Sequence, residues 1–167
     1  MGLVLRDVLQ YVVRPSLQWL DPEIPHSRGA ELLLMGTALH ESKLQWLDQT
    51  TPGPGPAYGI FQMEAATHYD LWSRFIEFRP ALAHKLRSLR APNPSPIEQL
   101  RTNLLYACAM ARVLYFRSPE RMPKVEELDA LAALAKRVFN TSAGKATVDD
   151  YRRALDQCAS LFPQGTA

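Results

Sequence analysis

The chain has 167 residues, 47% hydrophobic and 22% charged, the balance of an ordinary soluble globular protein. A domain near this size buries roughly 70% of its unfolded surface, so one core needs no staples. A net charge of +2 with scattered basic residues lacks the clustered basic face that phosphate binding needs, which excludes nucleic acid as a partner.

The periodicity is helical nearly everywhere. Residues 3 to 19 carry Leu3, Val4, Val8, Tyr11, Val12 and Trp19 at helical spacing, and Pro15 is expected to break or kink the segment. Arg6, Asp7 and Arg14 interrupt its apolar character and no small-residue cleavage site follows, so it is a poor signal peptide. A second helix is expected over 28 to 47, with Leu32, Leu33, Met35, Gly36 and Leu39 on its buried side. A long Pro/Gly-rich loop covers 48 to 58, of a kind that is mobile or functional. Residues 58 to 61 form at most a minimal β element, pairing with part of 44 to 51.

Thr67 and Asp70 read as a capping box opening a helix to about Phe78. A short helix spans Pro80 to Arg90. After "APNPSP", Ser95, Pro96 and Glu98 read as N-cap, first position and capping partner of a central helix to about Phe116. Further helices are expected over 125 to 139 and, behind a Thr147/Asp150 capping box, to about Leu161. The class is all-α: one helical domain over 1–167, its motif-bearing part 30–155, with residues 1–25 a helical N-terminal extension. Cys108 and Cys158 lie in apolar helical patterns and read as free, structural thiols. No run approaches ~18 apolar residues, so no membrane span is expected.

Glu41 needs a reason. It stands near the end of a largely apolar helix, where partial desolvation raises a carboxyl pKa. A glutamic acid protonated near neutral pH can give a proton to a leaving oxygen and take one back. The ordinary reading of such a residue is a solvent-facing glutamate at a helix end. Gln62 offers both donor and acceptor groups, suited to an N-acetyl group or sugar hydroxyl, and equally to a loop-to-helix hydrogen bond. Gly59 would allow close backbone approach. Tyr58, Phe61, Tyr69 and Trp72 are sugar-stacking candidates, although Phe61 and Trp72 fit a core better. His26, His40, His68 and His84 show no paired ligand spacing, so no metal and no cofactor is expected; His40 reads as a helix-surface residue.

Glu41-Ser42, then Gly59-Ile60-Phe61-Gln62 followed by Ala66-Thr67, then Asn103, then Phe139-Asn140 with Gly144, stand in the order of a known pattern. Together they resemble the lysozyme-like lytic transglycosylase domain of the soluble type, related to goose-type lysozyme. The resemblance implies a lysozyme-like fold and cleavage of the MurNAc–GlcNAc β-1,4 bond, with Glu41 as the single general acid/base. It implies Ser42, Tyr58, Gly59, Gln62 and Asn140 at the substrate, peptidoglycan glycan strands as partner, and no cofactor. Asp48 is the fallback second carboxylate. The chain departs from the pattern at Phe139, where the family often has a tyrosine whose hydroxyl reaches the glutamate. It departs again at Lys43, a cation where small residues are common. These departures motivate the alternative of a catalytically silent lysozyme-fold binding protein or virion structural protein; a helical interaction module unrelated to saccharides is a third reading. With no export signal visible, the expectation is synthesis in the cytoplasm and delivery to the cell wall or periplasm with a bacteriophage virion or a secretion apparatus.

Overall fold

The computed structural model describes residues 2–48, 55–139 and 145–163. The domain is mostly helical, with one small antiparallel two-stranded sheet. Leu5–Val8 (α1), a π-helical turn Leu9–Val13 and Arg14–Leu20 (α2) follow one another without leaving helical backbone angles. Pro15 neither ends nor splits this rod. The wider π-helical turn directly before it takes up the loss of its N–H and the crowding of its ring. Val8, Leu9, Val12, Val13, Leu17 and Leu20 are buried in the common core, so the N-terminal segment is part of the body of the fold.

Two helices are buried nearly all round. Arg28–Ser42 (α3) buries every residue from Gly29 to Ala38, and Leu104–Arg117 (α7) buries Tyr106 through Tyr115. α3 opens at Ser27, whose Oγ accepts from the N–H of Ala30 at 3.1 Å. It stops at Ser42, five residues earlier than expected from sequence, because Lys43 and Leu44 both take left-handed angles (φ 55° each). Burial of Leu44, whose carbonyl accepts from Leu3 N–H at 3.0 Å, holds that reversal. Glu31, buried in the first turn of α3, is held by Arg14 at 3.0 and 3.1 Å and by His26 at 2.8 Å. Burial pushes its pKa up, but these partners outweigh it and keep the carboxyl below its usual range.

Between α3 and α7 lie strands Ala57–Tyr58 (β1) and Met63–Glu64 (β2), then Ala65–Leu71 (α4) with a π-helical turn Trp72–Ile76, and Pro80–Leu89 (α5). β1 and β2 form a tight hairpin, with Tyr58 opposite Met63, and Tyr58 also bridges to Asp48. α4 starts at Ala65 rather than at the expected Thr67 box, because the Asp70 carboxylate is taken by Arg74 and Arg117. The expected central helix is likewise divided. Glu98 pairs with Arg101 instead of turning back to Ser95, so Gln99–Thr102 (α6) is one short turn. Asn103 leaves helical angles and caps α7, accepting from Tyr106 N–H at 3.1 Å while its amide donates to Leu89 O at 2.8 Å. Leu128–Val138 (α8) and Val148–Ala159 (α9) complete the fold, α9 with the complete Thr147/Asp150 capping box. Cys108 and Cys158 are buried free thiols.

Candidate functional site

One glycine, Gly36, brings the site together. At Gly36 a β-carbon would meet the Leu155 side chain at 2.6 Å, so only glycine lets α9 lie this close to α3. Five residues on from Gly36 along α3 is Glu41; four residues back from Leu155 along α9 is Tyr151. The helices therefore run antiparallel here, and ~6–8 Å of rise on each carries the contact from one pair to the other. The Tyr151 hydroxyl donates to Glu41 Oε1 at 2.5 Å. Tyr151 itself is fully buried and its ring lies 4.2 Å, tilted by 38°, from the His40 ring.

Glu41 is half-buried in the last turn of α3. Burial raises its pKa; the Tyr151 hydrogen bond and the Lys43 charge offset only part of that. Tyr151 is pushed far up by burial and by the Glu41 charge, so it stays a neutral donor. His40 is held below its usual value by burial first and Lys43 second, and is a half-buried ring stacked on Tyr151 rather than a surface residue. Behind them, Thr37 Oγ bonds both the Leu33 carbonyl and the Tyr115 hydroxyl at 2.7 Å. Thr37 has one hydroxyl proton, so if it donates to the carbonyl, Tyr115 donates to Thr37. Thr37 and Glu41, one helical turn apart on α3, thus each hold a tyrosine hydroxyl, that of Tyr115 from α7 and that of Tyr151 from α9. A polar cleft of about 230 Å³ opens beside it, lined by His40, Lys43, Asp150 and Arg153.

Other residues expected at the substrate have structural partners. Ser42 is buried; its Oγ donates to Ala38 O at 3.0 Å and accepts from Leu44 N–H at 3.2 Å, closing the end of α3. Gly59 has φ +72°, and a β-carbon there would lie 1.8 Å from Leu100 O, so its close approach is to α6. Gln62 (φ 47°) turns both its N–H and its side-chain amide onto Gly59 O, at 2.9 and 2.7 Å, which makes its bond internal to the turn. Tyr58 is half-buried beneath the Arg101 guanidinium, 3.8 Å from the ring centroid. Asp48 is exposed and accepts from Arg101 at 3.1 Å. Phe61 is core; Trp72 donates to Tyr106 OH at 2.9 Å; Tyr69 is exposed. Asn140 and Gly144 lie outside the described residues. Phe139 packs 5.4 Å from the Tyr115 ring.

Tyr151 was not foreseen from sequence, although it falls on the apolar face of α9 with Ala154, Leu155 and Cys158. Trp46 is half-exposed and, with Leu47, Ile60 and Arg101, lines a largely apolar cavity of about 790 Å³ beside the hairpin. Among the described residues, no three or more His, Cys, Asp or Glu side chains gather where they could hold a metal ion, and no helix is long and apolar enough to cross a membrane. No family model, curated protein or solved structure matched this chain.

Proposed function

We propose that the chain is a lysozyme-like glycosidase that cleaves the MurNAc–GlcNAc β-1,4 bond of peptidoglycan, with Glu41 as sole general acid/base. One observation carries the reading: a half-buried glutamate with a raised pKa, fixed on one oxygen by the neutral donor Tyr151. That geometry leaves Oε2 to present a proton to a glycosidic oxygen. In the transglycosylase form, the departing sugar takes this proton. The muramyl 6-hydroxyl attacks the anomeric carbon, and the Glu41 carboxylate removes that hydroxyl's proton, closing a 1,6-anhydro ring. In the hydrolase form, water takes the place of the hydroxyl. Tyr151 supplies a hydroxyl of the kind that Phe139 cannot, which supports the assignment of Glu41 despite that departure. Delivery with a virion or a secretion apparatus is part of the same proposal.

Product analysis by mass spectrometry after incubation with purified peptidoglycan tests it. Anhydromuramyl ends identify a transglycosylase and reducing ends a hydrolase. Glu41→Gln keeps shape but delivers no proton, so cleavage should fall at least ~100-fold. Asp48→Asn should change the rate little, because Asp48 is held by Arg101; a comparable loss would instead make Asp48 a second catalytic carboxylate. The internal bonding of Ser42, Gly59 and Gln62 favours a second reading, a silent binding protein of the same fold. Wild-type protein that sediments with peptidoglycan yet releases no products would establish that reading instead.

A further inference from the structure

α7 carries a second buried charge that the proposed chemistry does not use. Arg112 is only 4% exposed. Among the described residues no carboxylate lies within ion-pair distance of it, whereas buried Glu31 has two partners. One terminal nitrogen, Nη2, donates to Pro25 O at 3.3 Å, and Nε is buried with no partner. The Phe116 ring centroid, 5.9 Å from Cζ, gives weak compensation. The Cys108 thiol one turn away is neutral, pushed up to about 12 by burial. Burial lowers the guanidinium only to about 10, so it remains charged at neutral pH. A buried, hydrogen-bonding cation without a counter-charge is costly, and a ligand that supplies the charge removes that cost.

Arg112 lines a cavity of about 390 Å³, within the size range of small-molecule sites. Ser27, the N-cap of the fifteen-residue α3, stands in the same wall, so the positive end of that helix dipole adds to the guanidinium. Ser118 adds a hydroxyl; Tyr115, Phe116 and Met122 add apolar surface. Glu120 is the one carboxylate on the rim, and Arg137 neutralises it through a bidentate pair.

We propose that this cavity binds a small monocarboxylate with an apolar body, received by Arg112 and the N-terminus of α3. The planar guanidinium fork matches a carboxylate. One cation and a helix end balance a single negative charge and leave the second charge of a dianion such as phosphate uncompensated. The site lies at the opposite end of α3 from Glu41 and does not depend on the proposed glycosidase chemistry.

Titration of the full chain with benzoate, followed by the Arg112 Nε–H resonance in ¹⁵N NMR, tests the proposal. The expected result is a saturable shift with Kd on the order of 1 mM or tighter, and a matching rise in Tm. Inorganic phosphate should move the signal several-fold less at equal concentration. Glu120→Gln, which frees the Arg137 charge at the rim, should tighten benzoate binding several-fold, and Arg112→Met should abolish both the shift and the Tm response. No saturable shift of Nε–H in the wild-type chain, or phosphate binding as tightly as benzoate, overturns the proposal; neither readout depends on Arg112→Met folding.

Discussion

The bond between Tyr151 and Glu41 tunes as well as positions. A hydroxyl that donates to a carboxylate favours the charged form, so it holds the Glu41 pKa below where burial alone would put it. Tyr151→Phe removes the donor and leaves the burial. The Glu41 pKa should rise further, and the alkaline limb of a cell-wall cleavage profile should move to higher pH. The maximal rate should fall because the carboxyl loses its orientation. A profile whose alkaline limb does not move would mean that Glu41 is not the titrating acid. The single residue is also the scale at which sequence was least informative. Glu41 stood out because a carboxylate on an apolar helix is an inconsistency visible in one dimension. Tyr151 did not, because a tyrosine on an apolar face looks like core until the partner helix is known. Ser42, Gly59 and Gln62 matched a motif by type and order, but side-chain bonds within the chain depend on distances that no spacing encodes.

Among elements, the end of α3 holds the site in place and does so under backbone strain. Lys43 and Leu44 are both non-glycine residues at φ 55°. Left-handed angles cost an L-residue roughly 1 kcal/mol each. Lys43 is exposed, with its side chain outside the core. Lys43→Gly should therefore stabilise the fold by ~0.5–1 kcal/mol in urea denaturation, the glycine's extra unfolded-state entropy being outweighed by relief at φ 55°. It should also raise the Glu41 pKa by removing the nearby cation. Gly36→Ala should act in the opposite direction. Its methyl meets Leu155 at 2.6 Å, and overpacking of this kind costs ~1–3 kcal/mol and forces α9 away from α3. An unchanged denaturation midpoint in Gly36→Ala would mean that the two helices do not need this approach. Helix identities were legible because 3.6-residue periodicity survives without tertiary context. Boundaries failed where a capping residue found a stronger partner: Asp70 with Arg117 and Arg74, and Glu98 with Arg101.

At the level of the whole molecule, pH sets stability through groups whose protons differ between folded and unfolded chains. His68, 2% exposed, joins α4 to α7 through Tyr106 OH at 2.8 Å, and Tyr106 OH also receives the Trp72 indole at 2.9 Å. Trp72 donates to the Tyr106 hydroxyl, which keeps one proton to give and a second lone pair to accept with, so His68 Nε2 fits beside it in either neutral tautomer. Burial first and the Arg90 charge second depress the His68 pKa from 6.5 to about 4. An unfolded chain therefore takes up a proton below about 6.5 that the folded chain refuses until about 4, and stability falls as pH drops through that window. The full shift corresponds to ~3 kcal/mol at 1.36 kcal/mol per unit. Glu41 works with the opposite sign. Its raised pKa makes the folded chain hold a proton that the unfolded chain has lost, so its contribution is present at low pH and is lost as pH rises from about 4.5 through the folded value. The two contributions oppose each other above pH 4.5, and that of His68 should dominate because its pKa is displaced further. Urea unfolding at pH 7, 6, 5 and 4.5 should show wild-type stability decreasing toward acid. His68→Gln should remove most of that decrease, and Glu41→Gln should steepen it. Equal slopes in wild type and His68→Gln would mean that His68 is protonated in the folded state.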